Sequence, residues 1–321
     1  MKDLVSVIIT TYKRSKLLPR AIDSVLAQTY ENIEILIVDD NDPDSEYRKA
    51  TENLMKTQYS QESKIHYIKM PKNSGSCPAR AQGVSESKGE YINFLDDDDE
   101  FLPTKIEQQM KVFAADSEKK LAAVGCYANV VDGKGNLRYV EKSDVKGNVF
   151  FNQMCDNITT TSIVLIRKSV YVASGGFQTM YSCQEHWMLI RLFSVCPYYD
   201  YVPEVLINIY QHEGARISNN NNWGKGAIQL YDNAAQFFGR FTPEQVKIIR
   251  KRMNAHIINN LYICNEGFKA RKYTLQRLKI GGKITMEDCQ LYMKFIFGCK
   301  IYQYFWNTLL AIKHHTIDKL K

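Results

Sequence analysis

The stretch GEYINFLDDDDEFLP, residues 89–103, decides the fold. An apolar, strand-forming run from Tyr91 to Leu95 passes directly into Asp96, Asp97, Asp98 and Asp99. Four adjacent carboxylates at the end of such a strand repel one another in a region of low dielectric unless a cation or hydrogen-bond donors neutralise them. A hard divalent ion, Mn²⁺ or Mg²⁺, held by one or two carboxylates with substrate phosphates and water, meets that need without Cys or His. The plainer alternative is a solvated acidic loop, in which Asp99 or Glu100 favours the N-terminus of the next helix and Pro103 takes an early helical position.

Upstream, strand and helix alternate. LVSVIITT (4–11) is a β-branched run suited to a strand covered on both faces, and 17–28 sets Leu18, Ala21, Ile22, Val25 and Leu26 at helical spacing. IEILIV (33–38) is a second strand, stopped by Asp39-Asp40-Asn41-Asp42-Pro43. A helix over 45–58, a strand KIHYIKM (64–70), a turn over 71–76 and a helix over 77–88 lead back to the aspartates. The alternation predicts an α/β fold with a mainly parallel sheet covered on both sides. Ligands of open sheets bind beyond the carboxyl ends of the strands, where Thr11, Asp39 and the four aspartates all fall.

Downstream, AAVGCYANVV (122–131), the turn DGKGN and the returning NLRYVEK predict a hairpin and a mixed sheet. From residue 223 strand signals cease and helical periodicity with basic residues takes over. The expected division is a catalytic domain over 1–222 and a helical, basic region over 223–321.

With 321 residues, 45% hydrophobic and 24% charged, the chain can bury a large core. Its +7 charge is uneven: residues 241–321 hold 15 Lys and Arg against 5 Asp and Glu, or +10, leaving −3 for residues 1–240. Eight cysteines include no C-x-x-C pair, which argues against zinc and thioredoxin-like chemistry and for free thiols in a reducing cytosol. The N-terminal apolar run is too brief for a secretory signal. No G-x-G-x-x-G follows the first strand and no G-x-x-x-x-G-K-[ST] occurs, against dinucleotide oxidoreductase and P-loop readings.

SVIITTYKR, LAQTYENIEILIVDD, N-S-G-S-C-P-A-R and GEYINFLDDDDEFLP, in this order and spacing, resemble the inverting family 2 glycosyltransferases of GT-A fold, a Rossmann-like nucleotide-diphospho-sugar transferase architecture. The likeness runs over about residues 4–220. It implies that Thr11, Tyr12 and Asp39 hold the nucleotide base and ribose, and that Asp96 and Asp98 form the D-x-D pair, with Asp98 the direct metal ligand and Asp97 a nucleotide contact in some registers. It also implies that the 73–80 loop and Arg80 approach the donor; a guanidinium pairs well with phosphate, or it can simply bridge carboxylates.

Inverting transfer needs a general base opposite the departing diphosphate. GGFQTMYSCQEHWMLIRLF (175–193) resembles the family's base-bearing segment, and fixing the register on Arg191 puts Glu185 at the base position where aspartate is usual. A shifted register offers His186, whose imidazole can also accept a proton. VPEVLINIYQHEGARIS resembles the family's last catalytic strand and the stretch that closes over the diphosphate. It makes His212 a metal or phosphate candidate and Arg216 a donor-binding candidate, although a histidine near a strand end is commonly structural. The Q-x-x-R-W signature of processive members is absent, so one sugar per encounter is expected.

In LYMKFIFGCKIYQYFWNTLLAI (291–312), Lys294, Lys300, Gln303 and Asn307 interrupt the apolar run, against a transmembrane helix. Its amphipathic pattern suits a membrane surface, the catalytic domain or a homodimer contact. The expectation is an enzyme at the cytoplasmic face of the membrane, moving sugar from a UDP-sugar to a glycan or lipid-linked acceptor in cell-surface polysaccharide synthesis. Its rivals are a sugar nucleotidyltransferase releasing pyrophosphate and, against the acidic site and the lack of any familiar module, a basic nucleic-acid binder.

Overall fold

The computed structural model describes residues 3–211, 222–281 and 284–297. In chain order the elements are β1 (Val5–Thr11), α1 (Leu18–Leu26), β2 (Ile33–Asp39), α2 (Glu46–Gln58), β3 (Ile65–Lys69), α3 (Ser76–Glu86), β4 (Tyr91–Asp96), β5 (Glu100–Phe101), α4 (Lys105–Ala115), β6 (Leu121–Asp132), β7 (Leu137–Glu141), β8 (Gly147–Asn148), α5 (Phe150–Cys155), β9 (Leu165–Arg167), α6 (Lys168–Ala173), α7 (Gln184–Val195), β10 (Tyr198–Gln211), α8 (Trp223–Ala234), α9 (Pro243–Ile263), α10 (Gly267–Ile280) and α11 (Met286–Phe297). The chain divides into two compact units, residues 1–179 with 184–216, and residues 180–183 with 217–321.

The first unit carries one mixed sheet of order β3-β2-β1-β4-β9-β6-β10-β5, with β7 beside β6 and β8 beside β10. The long pairings β2–β3, β1–β2, β1–β4 and β6–β10 are parallel, and β9 runs antiparallel between β4 and β6. β1 and β2 are apolar almost throughout because helices cover both faces, and Val7, Ile9, Ile35 and Ile37 are fully buried. On one face α3 comes so close that a Cβ on Gly83 would lie 2.5 Å from Ile8 Cγ2, so a side chain there would push the helix off the sheet.

The parallel β1–β2 register pairs Thr11 with Asp39, and the β1–β4 register pairs Thr10 with Asp96. Three polar strand ends therefore share one edge. The alternative of a helix-capping acidic loop is not met: Pro103 precedes α4, whose flanking residue is Thr104, and neither Asp99 nor Glu100 caps that helix.

In the second unit α9 starts with a reciprocal capping box, in which the Thr242 side chain accepts from Gln245 N–H and the Gln245 side chain accepts from Thr242 N–H. Ala255, Ile257, Ile258 and Leu261 of α9 pack with Ala227, Ala270 and Leu291. Among the described residues no helix is long and apolar enough to cross a membrane. Lys300, Gln303 and Asn307, named for the amphipathic face of 291–312, lie outside the described residues.

Candidate active site

The four aspartates form a turn, closed by the Asp99 N–H donating to the Asp96 carbonyl at 3.0 Å. Their side chains alternate: Asp97 and Asp99 are buried, while Asp96 and Asp98 are partly exposed. Asp97 accepts from Thr11 Oγ1 at 2.7 Å and from Arg14 Nη1 at 3.2 Å. Asp99 accepts the Tyr210 N–H at 3.0 Å. Burial pushes the Asp97 carboxyl up to about 7 and Asp99 well above the usual carboxylate range.

The outward pair meets arginines. Asp98 Oδ2 accepts from Arg14 Nη1 at 2.7 Å, and Asp96 Oδ1 from Arg80 Nη2 at 2.7 Å. Arg20 donates to the Asp98 carbonyl oxygen and lies 3.5 Å over the Tyr210 ring. The charge conflict legible in the sequence is thus met inside the chain by arginines, a threonine and a backbone amide. The run of charge does not by itself require a metal.

Asp39 sits deeper than its expected nucleotide contact. It is fully buried; Oδ1 accepts from Asn41 N–H at 2.9 Å and Asn41 Nδ2 at 2.7 Å, and Oδ2 from Tyr67 Oη at 2.6 Å and lies 3.2 Å from Arg48 Nε. A carboxylate offers about four acceptor positions. Three of Asp39's are taken by hydrogen bonds from within the chain, and Arg48 pairs with it as a charge, so it shapes the floor of the edge. Thr11 is likewise buried on Asp97. Of the three residues expected at the base and ribose, Tyr12 alone is half-buried with ring surface to offer.

The neighbouring Asp40 holds the 73–75 loop. Its oxygens accept from the Ser74 and Gly75 amides, both at 2.8 Å, while Asp42 accepts from Asn73 N–H at 2.9 Å. Gly75 has φ +88°, with nothing within 4 Å of a Cβ. The turn into α3 needs the glycine for its positive-φ backbone conformation.

Glu185, in the first turn of α7, accepts from Thr161 Oγ1. Burial raises its pKa, opposed by the charge of Arg80 and reinforced by that of Asp96. Arg80 is buried, bonds Asp96 and lies 5.1 Å from the Phe177 ring. It is engaged with one carboxylate, Asp96, and both roles named from sequence stay open to it. His186 turns the other way: it is buried, with Nε2 2.8 Å from the Gln153 carbonyl. That contact engages the imidazole with α5, which supports Glu185 over the shifted register. Arg191 explains the register's anchor, since it donates to the Ser174 and Gly176 carbonyls of the Gly175-Gly176 turn. His212 and Arg216 lie outside the described residues.

A hard divalent ion fits this edge by donor chemistry. Asp96 and Asp98 present carboxylate oxygens, with side chains 41% and 15% exposed, and such ions prefer oxygen donors. Among the described residues no group of three or more His, Cys, Asp or Glu side chains is placed to hold an ion. The chain alone offers a partial shell, which diphosphate oxygens and water would complete.

A profile of glycosyl transferase family 2 matches residues 6–173, just over half of the chain. The chain belongs to glycosyltransferase family 2. This glycosyltransferase is 37% identical over 301 residues to an uncharacterized glycosyltransferase of Rickettsia typhi, covering 91% of this chain and 89% of the relative. It is 31% identical over 227 residues to one of Rickettsia felis, covering 68% of this chain, and spans about a third (36%) of that longer relative. A protein of Escherichia coli named for colanic acid biosynthesis is 36% identical over 126 residues, covering 39% of this chain and 42% of the relative. Two solved structures share the fold. Staphylococcus aureus TarS with UDP-GlcNAc has a TM-score of 0.55 at 14% identity, over 91% of this chain and 79% of that one. A mannosyltransferase of Pyrobaculum calidifontis with GDP-Man and Mn²⁺ has a TM-score of 0.59 at 16% identity, over 97% and 85%. The nucleotidyltransferase rival gives way to this family membership.

Sequence reasoning missed Arg14, Arg20, Asp40 and Thr161. Arg14 and Asp40 stand inside quoted motifs, so their signal was present as composition. Arg20 and Thr161 carry no local signal, because their partners are 78 and 24 residues away.

Proposed function

We propose that this family 2 glycosyltransferase is an inverting, metal-dependent enzyme. It moves one sugar from a nucleoside-diphosphate sugar, a UDP-sugar, to a hydroxyl of a glycan or lipid-linked acceptor at the cytoplasmic membrane face, in cell-surface polysaccharide synthesis. The observation that carries it is the Glu185 carboxyl, held by Thr161 Oγ1 in the first turn of α7 and close enough to Arg80 and Asp96 to feel their charges. A carboxyl suited to act as a base near the acidic strand edge supports this reading. The neighbour with UDP-GlcNAc and the one with Mn²⁺ and GDP-Man support the donor class and the ion, and the colanic-acid relative supports the polysaccharide setting. The catalytic domain is taken as 1–222, with a helical domain over 223–321.

The acceptor oxygen attacks the anomeric carbon from the face opposite the diphosphate. Its proton passes to a Glu185 oxygen as the new O–C bond forms, and the broken C–O pair leaves with the nucleoside diphosphate. Tyr12 contributes its ring to the base, and Arg14, the Arg80–Asp96 pair and Asp98 define the charge environment of the diphosphate. When bound at Asp98 and Asp96, a divalent ion supplies positive charge that stabilises the leaving group. A burial-raised carboxyl suits a base that must take up a proton near neutral pH.

Product analysis tests the reading. Incubation with UDP-sugars and an acceptor is expected to release UDP, with no pyrophosphate, and to yield a glycoside of inverted anomeric configuration by NMR. Retained configuration would refute Glu185 as a single-displacement base. A second expectation concerns Arg14, whose guanidinium meets Asp98. In Arg14→Ala, Mn²⁺ measured without nucleotide by EPR should bind about threefold to fivefold tighter, the scale of a partly exposed pair. Unchanged affinity would place the ion away from Asp98.

A further inference from the structure

Within the second unit, α10 buries one side and, among the described residues, leaves the other bare. Ala270, Thr274 and Arg277 are buried, and Arg277 is paired with Asp288 at 2.6 Å and Glu287 at 2.8 Å. On the opposite side Phe268 is 89% exposed, Leu275 50% and Leu278 54%. Arg271, Lys272 and Lys279 are exposed as well. At 100° per residue these six side chains fall within an arc of about 120°. The helix GFKARKYTLQRLKI contains no acidic residue, and among the described residues neither Lys272 nor Lys279 makes an ion pair.

We propose that this face of α10 is a docking surface for an anionic lipid bilayer. Three large apolar side chains held in water on a convex helix need an apolar medium, and the cations interleaved with them need negative charge at the same depth. The headgroup and acyl boundary of a bilayer with acidic lipids provides both, and a helix of 14 residues, about 21 Å long, lies along it. A second copy of the chain is disfavoured as occupant because it would bring an equally cationic face. An acidic protein would satisfy the bases without requiring Phe268. Further exposed apolar residues flank the helix in sequence, Ile263 before it and Ile284 and Met286 after it. This surface is distinct from the stretch 291–312 singled out in the sequence; it rests on the membrane-face setting proposed above but not on the sugar-transfer chemistry.

The test is flotation of the full chain with vesicles of phosphatidylcholine alone or containing 30% phosphatidylglycerol, at roughly 0.1 M salt. The wild type is expected to float with the anionic vesicles only. Both F268A/L275A/L278A and K272E/K279E are expected to lose at least tenfold in vesicle affinity while keeping their circular dichroism and their turnover of a soluble acceptor. Since all five positions are exposed, folding should survive. Three outcomes overturn the proposal: wild type that stays with the soluble fraction, either variant floating like wild type, or a variant that loses self-association in light scattering but not vesicle binding. Failure of sugar transfer with vesicle binding intact would count against the enzymatic reading alone.

Discussion

Asp98→Asn is expected to lower kcat by about 10²–10³-fold, the scale seen when a group stabilising developing charge is removed. Asp98 is on the outward side of the aspartate turn, where its Oδ2 meets Arg14 at 2.7 Å. The substitution keeps the side chain's size but removes the charge proposed to hold a divalent ion, so Mn²⁺ binding in the presence of UDP, followed by EPR or calorimetry, should weaken in parallel. The fold should hold, because Asp98 is only a partly exposed member of the turn while the buried Asp97 and Asp99 keep their contacts to Thr11 and Tyr210. The control is Asp97→Asn. Its carboxyl is raised to about 7 by burial, so neutralising it removes less charge at neutral pH, and its effect on Mn²⁺ affinity should be smaller. Equal Mn²⁺ affinity in wild type and Asp98→Asn would remove Asp98 from the ion's shell.

Glu185→Gln is expected to lower kcat by about 10²–10⁴-fold, the usual range for loss of a general base, with donor affinity retained. The pH dependence gives a sharper check. A base works ionised, and burial has raised the Glu185 pKa above the ordinary value of 4.5. Activity should therefore fall as pH drops through that raised value, with the acid limb of kcat/KM above the range of a solvated glutamate. Thr161→Val removes a donor that favours the ionised form and should move the limb upward again; a limb that stays put would separate Thr161 from the base. Glu185→Gln should abolish the limb in its residual rate. If it turns over like wild type, another group removes the acceptor proton. His186→Gln should leave the limb in place, because that imidazole is buried against the Gln153 carbonyl.

Local pattern carried most of the catalytic fold. β-branched runs at 4–11 and 33–38, turn residues at 39–43 and apolar helical spacing in between are properties of neighbouring residues, and each became the element expected. The DGKGN turn returned β7 onto β6 for the same reason. What local pattern left open was the depth of side chains. Asp39, Thr11 and Asp97 are polar residues at strand ends, which in sequence look alike. Their exposure depends on which donors arrive from other elements: Tyr67 from β3 and Arg48 from α2 for Asp39, and Arg14 from the β1–α1 loop for Asp97.

From its residues alone this protein was already committed to a covered, mainly parallel sheet with acidic strand ends along one edge, because strand propensity and the side-chain period act over a few positions. Only the tertiary structure decided which carboxylates face outward, that Glu185 rather than His186 looks toward Arg80, and that the cationic, apolar face left bare belongs to α10. Those outcomes rest on contacts between residues tens of positions apart, whose geometry no short window contains.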